Sequence, residues 1–183
     1  GVTGHTGAVN ITGTGVGTAA DLKIINDASA GTITLNSQTN AGAGFTGTAA
    51  NLADAFTGIT SITSVITVSS GSVAASDLLT LDTASNQAVV ATAATAITGS
   101  VANVANAMND QATIDTAATV DVTITGSAVG TVADLKTIND ATSGTITLNS
   151  QTKAGALSGS VADIADALTG VTGHTGAVNI TGT

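Results

Sequence analysis

The 183-residue sequence predicts an α/β repeat fold, in which strand–helix half-units stack to form a parallel sheet backed by short helices. Three observations carry this reading. A long segment recurs almost unchanged along the chain. Within each copy, β-branched runs of period two alternate with capped stripes of helical period. The apolar residues are mostly small, which suits thin layers in which one coil packs on the next.

The recurrence comes first. The segment AADLKIINDASAGTITLNSQT (19–39) returns as VADLKTINDATSGTITLNSQT (132–152), with a degenerate copy, ASDLLTLDTASNQAVVATAAT, at 75–95. Asp21, Asp77 and Asp134 mark the copies, at spacings of 56 and 57 residues. A second marker follows each: TAANLADAF from Thr48, SVANVANAM from Ser100 and SVADIADAL from Ser160. Residues 1–14, GVTGHTGAVNITGT, are identical to residues 170–183, an offset of 169 or three repeats. The chain 1–183 therefore reads as one continuous array with approximate repeats 8–63, 64–119 and 120–176, and residues 170–183 begin the next super-unit. Since it opens on Gly1 rather than Met, it also reads as a processed or excised piece.

Each repeat reads as strand, helix, strand, helix. The expected strands are 8–14, 31–37, 64–70, 87–93, 120–126 and 144–150, rich in β-branched residues and bounded by Gly or polar residues. The first helices begin at Thr18-Ala-Ala-Asp21 and Thr131-Val-Ala-Asp134, a hydroxyl at the N-cap and an acid three residues on, as in a capping box. Leu22 and Ile25, like Leu135 and Ile138, form their apolar stripe. In the second helices the stripe is Leu52, Ala55 and Phe56, then Val104, Ala107 and Met108, then Ile164, Ala167 and Leu168. Ala74 replaces the capping Thr in the middle repeat, where a frayed or less regular helix is expected. One half-unit cannot bury its own apolar face, so the predicted architecture is an α/β solenoid; a parallel β-helix is the alternative, because helices this short are marginal alone. With one strand added per half-unit, six half-units would advance the array by roughly 29 Å.

Composition narrows the function. There is no Cys, Pro, Trp, Tyr, Arg or Glu and only two Phe, yet 43% of residues are hydrophobic, too many for a disordered chain. Twelve Asp against Lys23, Lys136 and Lys153 give a net charge of −9. Such a surface has no patch for neutralising phosphates, which argues against nucleic acid and against anionic lipid. No run approaches the length of a transmembrane helix, and no targeting pattern opens the chain.

Candidate chemistry is sparse. His5 and His174 occupy one equivalent place, inside TGHTG, with no Cys or Glu nearby, and read as loop residues rather than metal ligands or catalytic bases. GTGVGT (13–18) follows a strand and opens a helix, but it lacks both G-x-G-x-x-G spacing and a P-loop lysine, so it reads as a turn; GSAVGT (126–131) is its counterpart. No residue is therefore read as catalytic or as binding a cofactor. Asp27 and Asp140, which follow Asn26 and Asn139, are the residues that could ligate calcium; capping and a solvated acidic surface account for most of the other Asp. Asn10 and Asn179 head Asn-Ile-Thr glycosylation sequons, and Thr32, Thr34, Thr145 and Thr147 could form a rank of hydroxyls, as in Thr-x-Thr ice-binding solenoids; a solvent-facing strand explains them as well.

At the level of ADLKTINDATSGTITLNSQT and SGSVADIADALTG the chain resembles the Ala/Thr/Gly/Asp-rich tandem repeats of giant secreted or cell-surface bacterial proteins, notably those of marine cyanobacteria. The resemblance implies an extracellular or cell-surface location and a structural or adhesive role, and brings no catalytic residues. The expected function is thus non-enzymatic: a structural repeat segment of a fibre, filament or surface layer, partnered head-to-tail by copies of itself or flanking repeats. The alternative is an adhesin or stalk module whose solenoid face binds a cell-surface glycan, mineral or calcium.

Overall fold

The computed structural model describes residues 4–12, 18–36, 44–59, 62–109 and 111–182. Among them the chain forms an α/β fold of twelve short strands and seven helices. In order these are β1 (Val9–Ile11), α1 (Ala19–Ala28), β2 (Ile33–Leu35), β3 (Phe45–Gly47), α2 (Ala49–Phe56), β4 (Ile66–Val68), β5 (Gly71–Ala74), α3 (Ala75–Ala84), β6 (Val89–Ala91), β7 (Ala94–Gly99), α4 (Val101–Asn109), β8 (Ile114–Thr116), β9 (Asp121–Ile124), α5 (Val132–Ala141), β10 (Ile146–Thr147), α6 (Ser150–Ala154), β11 (Leu157–Gly159), α7 (Val161–Leu168) and β12 (Val178–Ile180).

Every strand pairing among the described residues is parallel, and paired residues lie 21 to 25 positions apart. Parallel neighbours need a crossover, and a ten-residue helix with its flanks supplies one of about this length. Two sheets have four strands, ordered β3-β4-β6-β8 and β5-β7-β9-β10; β1-β2 and β11-β12 form two-stranded pairs. The helices pack in succession, α1 on α2, α2 on α3, α3 on α4, α4 on α5 and α5 on α7. The core lies between helices and sheets. Phe45, Ile66, Val89 and Ile114 stand in one register column of the first sheet, and Val73, Ile97, Val122 and Ile146 in one of the second; all eight are buried.

The capping boxes form as expected. The Asp21 N–H donates to Thr18 Oγ1 (3.1 Å) while the Thr18 N–H donates to Asp21 Oδ2 (3.2 Å), and Thr131 and Asp134 repeat the exchange at 3.0 and 3.2 Å. The Thr18 hydroxyl also donates to Asp21 Oδ2 (2.8 Å), and this bond first, then that from the Thr18 N–H, holds Asp21 below its ordinary pKa.

The middle helix departs from expectation. Ala74 offers α3 no side-chain cap, yet α3 runs for ten residues, as long as α1 and α5. Burial outweighs the missing cap: Ala75, Leu78, Leu81 and Ala84 are all buried between neighbouring helices, and β5 leads straight into the first turn. Asp77, which has no capping hydroxyl to bond, is instead raised in pKa, by burial first and by the charge of Asp54 second. The folded state then holds that proton more tightly than the unfolded chain, so this group's contribution to stability grows as pH falls through the carboxylate range. Ala74→Thr should restore the cap and raise the unfolding free energy by about 1 kcal/mol in a urea titration. Asp77→Asn should remove the acid-side gain.

Other differences concern strands. The expected strand 144–150 is only Ile146–Thr147, because the Asn149 side chain accepts the Thr152 N–H (2.7 Å) and starts α6. Beyond the expected strands, β3, β5, β7, β8 and β11 also form. They are short, β3, β5, β7 and β11 contain Gly, Ala or Ser while β8 is Ile-Asp-Thr, and pairing with a strand more than twenty residues away defines them rather than local propensity.

Candidate assembly interface

The residues singled out by sequence are dispersed. The His5 N–H donates to Ala28 O (3.0 Å) and its carbonyl accepts from Ala30 (2.7 Å), while His174 Nε2 lies 3.1 Å from Gly155 O. Each joins two segments that are distant in sequence. Asn10 and Asn179 are exposed on β1 and β12, and an outward column pairs Thr98, Thr123 and Thr147. In the 126–131 loop Gly130 takes a positive φ of 78° against Val101 and Thr131 caps α5, the geometry of a turn; 13–17 of its counterpart lies outside the described residues.

Asp27 and Asp140 each meet a lysine. Lys23 Nζ lies 3.1 Å from Asp27 on its own helix and 3.2 Å from Asp54 on α2; Lys136 lies 3.1 Å from Asp140 and 2.9 Å from Asp166 on α7. An ammonium thus sits where a cation ligand set would need open carboxylates, and both lysines are raised in pKa by hydrogen bonds to these acids. Among the described residues no three His, Cys, Asp or Glu gather as a metal site. These two clamps tie a first helix to the second helix beyond it. Sequence reasoning passed over them, although the Lys-to-Asp spacing of four was visible in both copies. Side chains this exposed are screened, so Lys136→Met should lower the melting temperature slightly at low salt and not at high salt.

The two ends of the chain are more informative. Repeat spacing makes β3, β7 and β11 equivalent, then β4, β9, β12 and β1, then β6, β10 and β2. The triplet β3-β4-β6 of one sheet is accordingly the triplet β7-β9-β10 of the other. The pair β11-β12 is the first two-thirds of that triplet, and β1-β2 is the last two-thirds. The strand they have in common, Val-Asn-Ile, is identical in both.

Hydrogen bonding shows that the two copies use opposite edges. In β1 the Val9 N–H donates to Thr32 O (2.9 Å) and Ile11 O accepts from Asn36 (3.0 Å). In β12 it is Ala177 O that accepts from Leu157 (2.9 Å) and the Thr181 N–H that donates to Gly159 O (2.8 Å). Successive residues of a strand point their backbone groups to alternate sides, so the groups spent by β12 are those β1 leaves at its open edge, and the reverse.

Side chains repeat the pattern. On α2 the residues Ala49, Ala53 and Phe56, and on α4 Val101, Ala105 and Met108, are at most 6% exposed. Their equivalents on α7 are Val161, 64% exposed, Ala165, exposed, and Leu168, half-buried. Ile66 and Val68 of β4 are fully buried, whereas Val178 and Ile180 of β12 are 46% and 50% exposed. At the opposite end Ile24 of α1 is 67% exposed. Its equivalent Thr137 shares a groove with Met108, the equivalent of Leu168. Five positions buried in the interior are thus uncovered at one end, with an apolar counterpart uncovered at the other.

Among the described residues no helix is long and apolar enough to cross a membrane. No family model matches the chain, and no curated protein or solved structure is similar to it.

Proposed function

We propose that the chain is a structural repeat segment of an extracellular fibre or cell-surface layer, an α/β solenoid that continues head to tail. The observation that carries this reading is the strand Val-Asn-Ile, which bonds to a following strand at one end of the chain and to a preceding strand at the other. One copy of it with both edges engaged would complete a sheet of the order found inside the chain. The ends are complementary but do not close on each other, the condition for open extension. The reading assigns no catalytic residue and no cofactor, and its partners are further copies of the same repeat.

The test is a chain of two super-units in which residue 183 is followed by residues 15–183. The amides of Val178 and Ile180 should exchange rapidly in the single super-unit and become protected at the junction of the double one. Equal exchange in both would overturn the array. Electron microscopy of native material should show long filaments; discrete particles would count against it.

Helix packing also revises the expected advance. Neighbouring strands stand about 4.8 Å apart and packed helices about 8–10 Å, so a sheet with one helix per strand falls out of step. Sheets limited to four strands, the second beginning at β5 while the first continues to β8, relieve this mismatch. The advance per super-unit should then approach six helix spacings, roughly 48–60 Å, rather than roughly 29 Å. A meridional reflection decides between the two.

A further inference from the structure

Resting on the array reading above, the geometry points to a strand-exchange joint between separate copies of this chain: residues 177–181 of one copy replace residues 8–12 on β2 of the next.

The exchange is neutral for the acceptor's own pairing. The incoming strand is Ala-Val-Asn-Ile-Thr, the same sequence as the strand it displaces, and it can adopt the register Val9↔Ile33, Asn10↔Thr34, Ile11↔Leu35. β1 is weakly held: it pairs with β2 alone among the described strands, and Val9 and Ile11 are only half-buried. The displaced strand loses nothing that the donor does not restore.

The donor brings a gain that β1 cannot. Its Ala177 and Thr181 stay bonded to β11, while Val178 and Ile180 offer backbone groups on the other edge to Thr32 and Asn36 of the acceptor. A complete triplet, β11-β12-β2, results. Docking also lays α1 of the acceptor on α7 of the donor. That covers Val161, Ala165 and Leu168 as their equivalents are covered inside the chain, with Ile24 set against Leu168 as Thr137 is against Met108. The apolar surface removed from water favours the exchanged state over two separate copies. Simple edge-to-edge contact of β12 with an undisplaced β1 would instead insert a strand without its helix and hold α1 away from α7.

The chain has no cysteine, so disulfide trapping is clean. Asn10 and Asn179 occupy the same place and both are exposed, as is Thr34. In adjacent parallel strands register partners stand about 4.8 Å apart, within disulfide reach. The doubly substituted chain Thr34→Cys, Asn179→Cys should give a ladder of covalent oligomers on oxidation. The chain Asn10→Cys, Thr34→Cys should lock β1 in place, remaining monomeric by light scattering when oxidised and assembling again when reduced.

Three outcomes overturn the exchange. Oxidised Asn10→Cys, Thr34→Cys that assembles as well as its reduced form would leave the array reading standing and replace exchange with edge contact. Unsubstituted chain that stays monomeric at all concentrations, while the double super-unit shows its protected junction, would restrict the array to a covalent one. Failure of both assembly and junction protection would remove the joint and the array together.

Discussion

Ile66→Asp should unfold the protein, whereas Val178→Asp should leave the single super-unit folded, although the two positions are equivalent in the repeat. Ile66 is fully buried between β3 and β6, in a column of Phe45, Val89 and Ile114. A carboxylate there loses its water without gaining a partner, and the isoleucine's apolar burial is lost as well. Together these exceed about 4–5 kcal/mol, comparable with the whole stability of about 5–15 kcal/mol expected for a domain. Val178 is 46% exposed at the open edge of β12, so the same aspartate stays hydrated and should cost within about 0.5 kcal/mol. In the double super-unit the second substitution should become as damaging as the first. Urea titrations of the four chains measure the difference. A Val178→Asp effect that is equally mild in both lengths would mean that the joint does not form.

Phe56→Ala should lower the unfolding free energy by about 3–5 kcal/mol. Phe45 and Phe56 are the only aromatic residues of the chain, and they meet edge to face with ring centroids 4.9 Å apart, both buried. The alanine variant forfeits that contact, about 0.5–1.5 kcal/mol, and opens a cavity beneath α2 that small neighbours such as Ala53 and Ala55 cannot fill. Phe56→Leu, the residue found at the equivalent position 168, should cost less than about 1.5 kcal/mol because most of the volume is kept. A loss for Phe56→Ala no greater than that for Phe56→Leu would mean that the layer collapses around the void.

The repeat, its helices and their caps were legible because each depends on residues close in the chain. Thr18 with Asp21, and Leu52 with Ala55 and Phe56, carry their geometry in their spacing. The alternation of apolar Val, Ile or Leu with polar residues likewise marked β1, β2, β4 and β9. The short strands β3, β5, β7, β8 and β11 were not legible, since three residues such as Leu-Ser-Gly become a strand only when a partner edge arrives. The persistence of α3 was misjudged for the same reason. Local capping argued for fraying, and burial between neighbouring helices decided otherwise.

The ends show where the two kinds of information divide. Sequence by itself determined that residues 1–14 and 170–183 are one repeated segment, because identity needs no coordinates. It also determined the α/β class and the positions of the capped helices. Only the tertiary structure decided that the shared strand turns one edge forward in β1 and the other backward in β12. Likewise it alone decided that Lys23 and Lys136 reach across to Asp54 and Asp166. The reason is physical: the same five residues present both edges in any strand, and which edge is engaged depends on the neighbour, not on the strand.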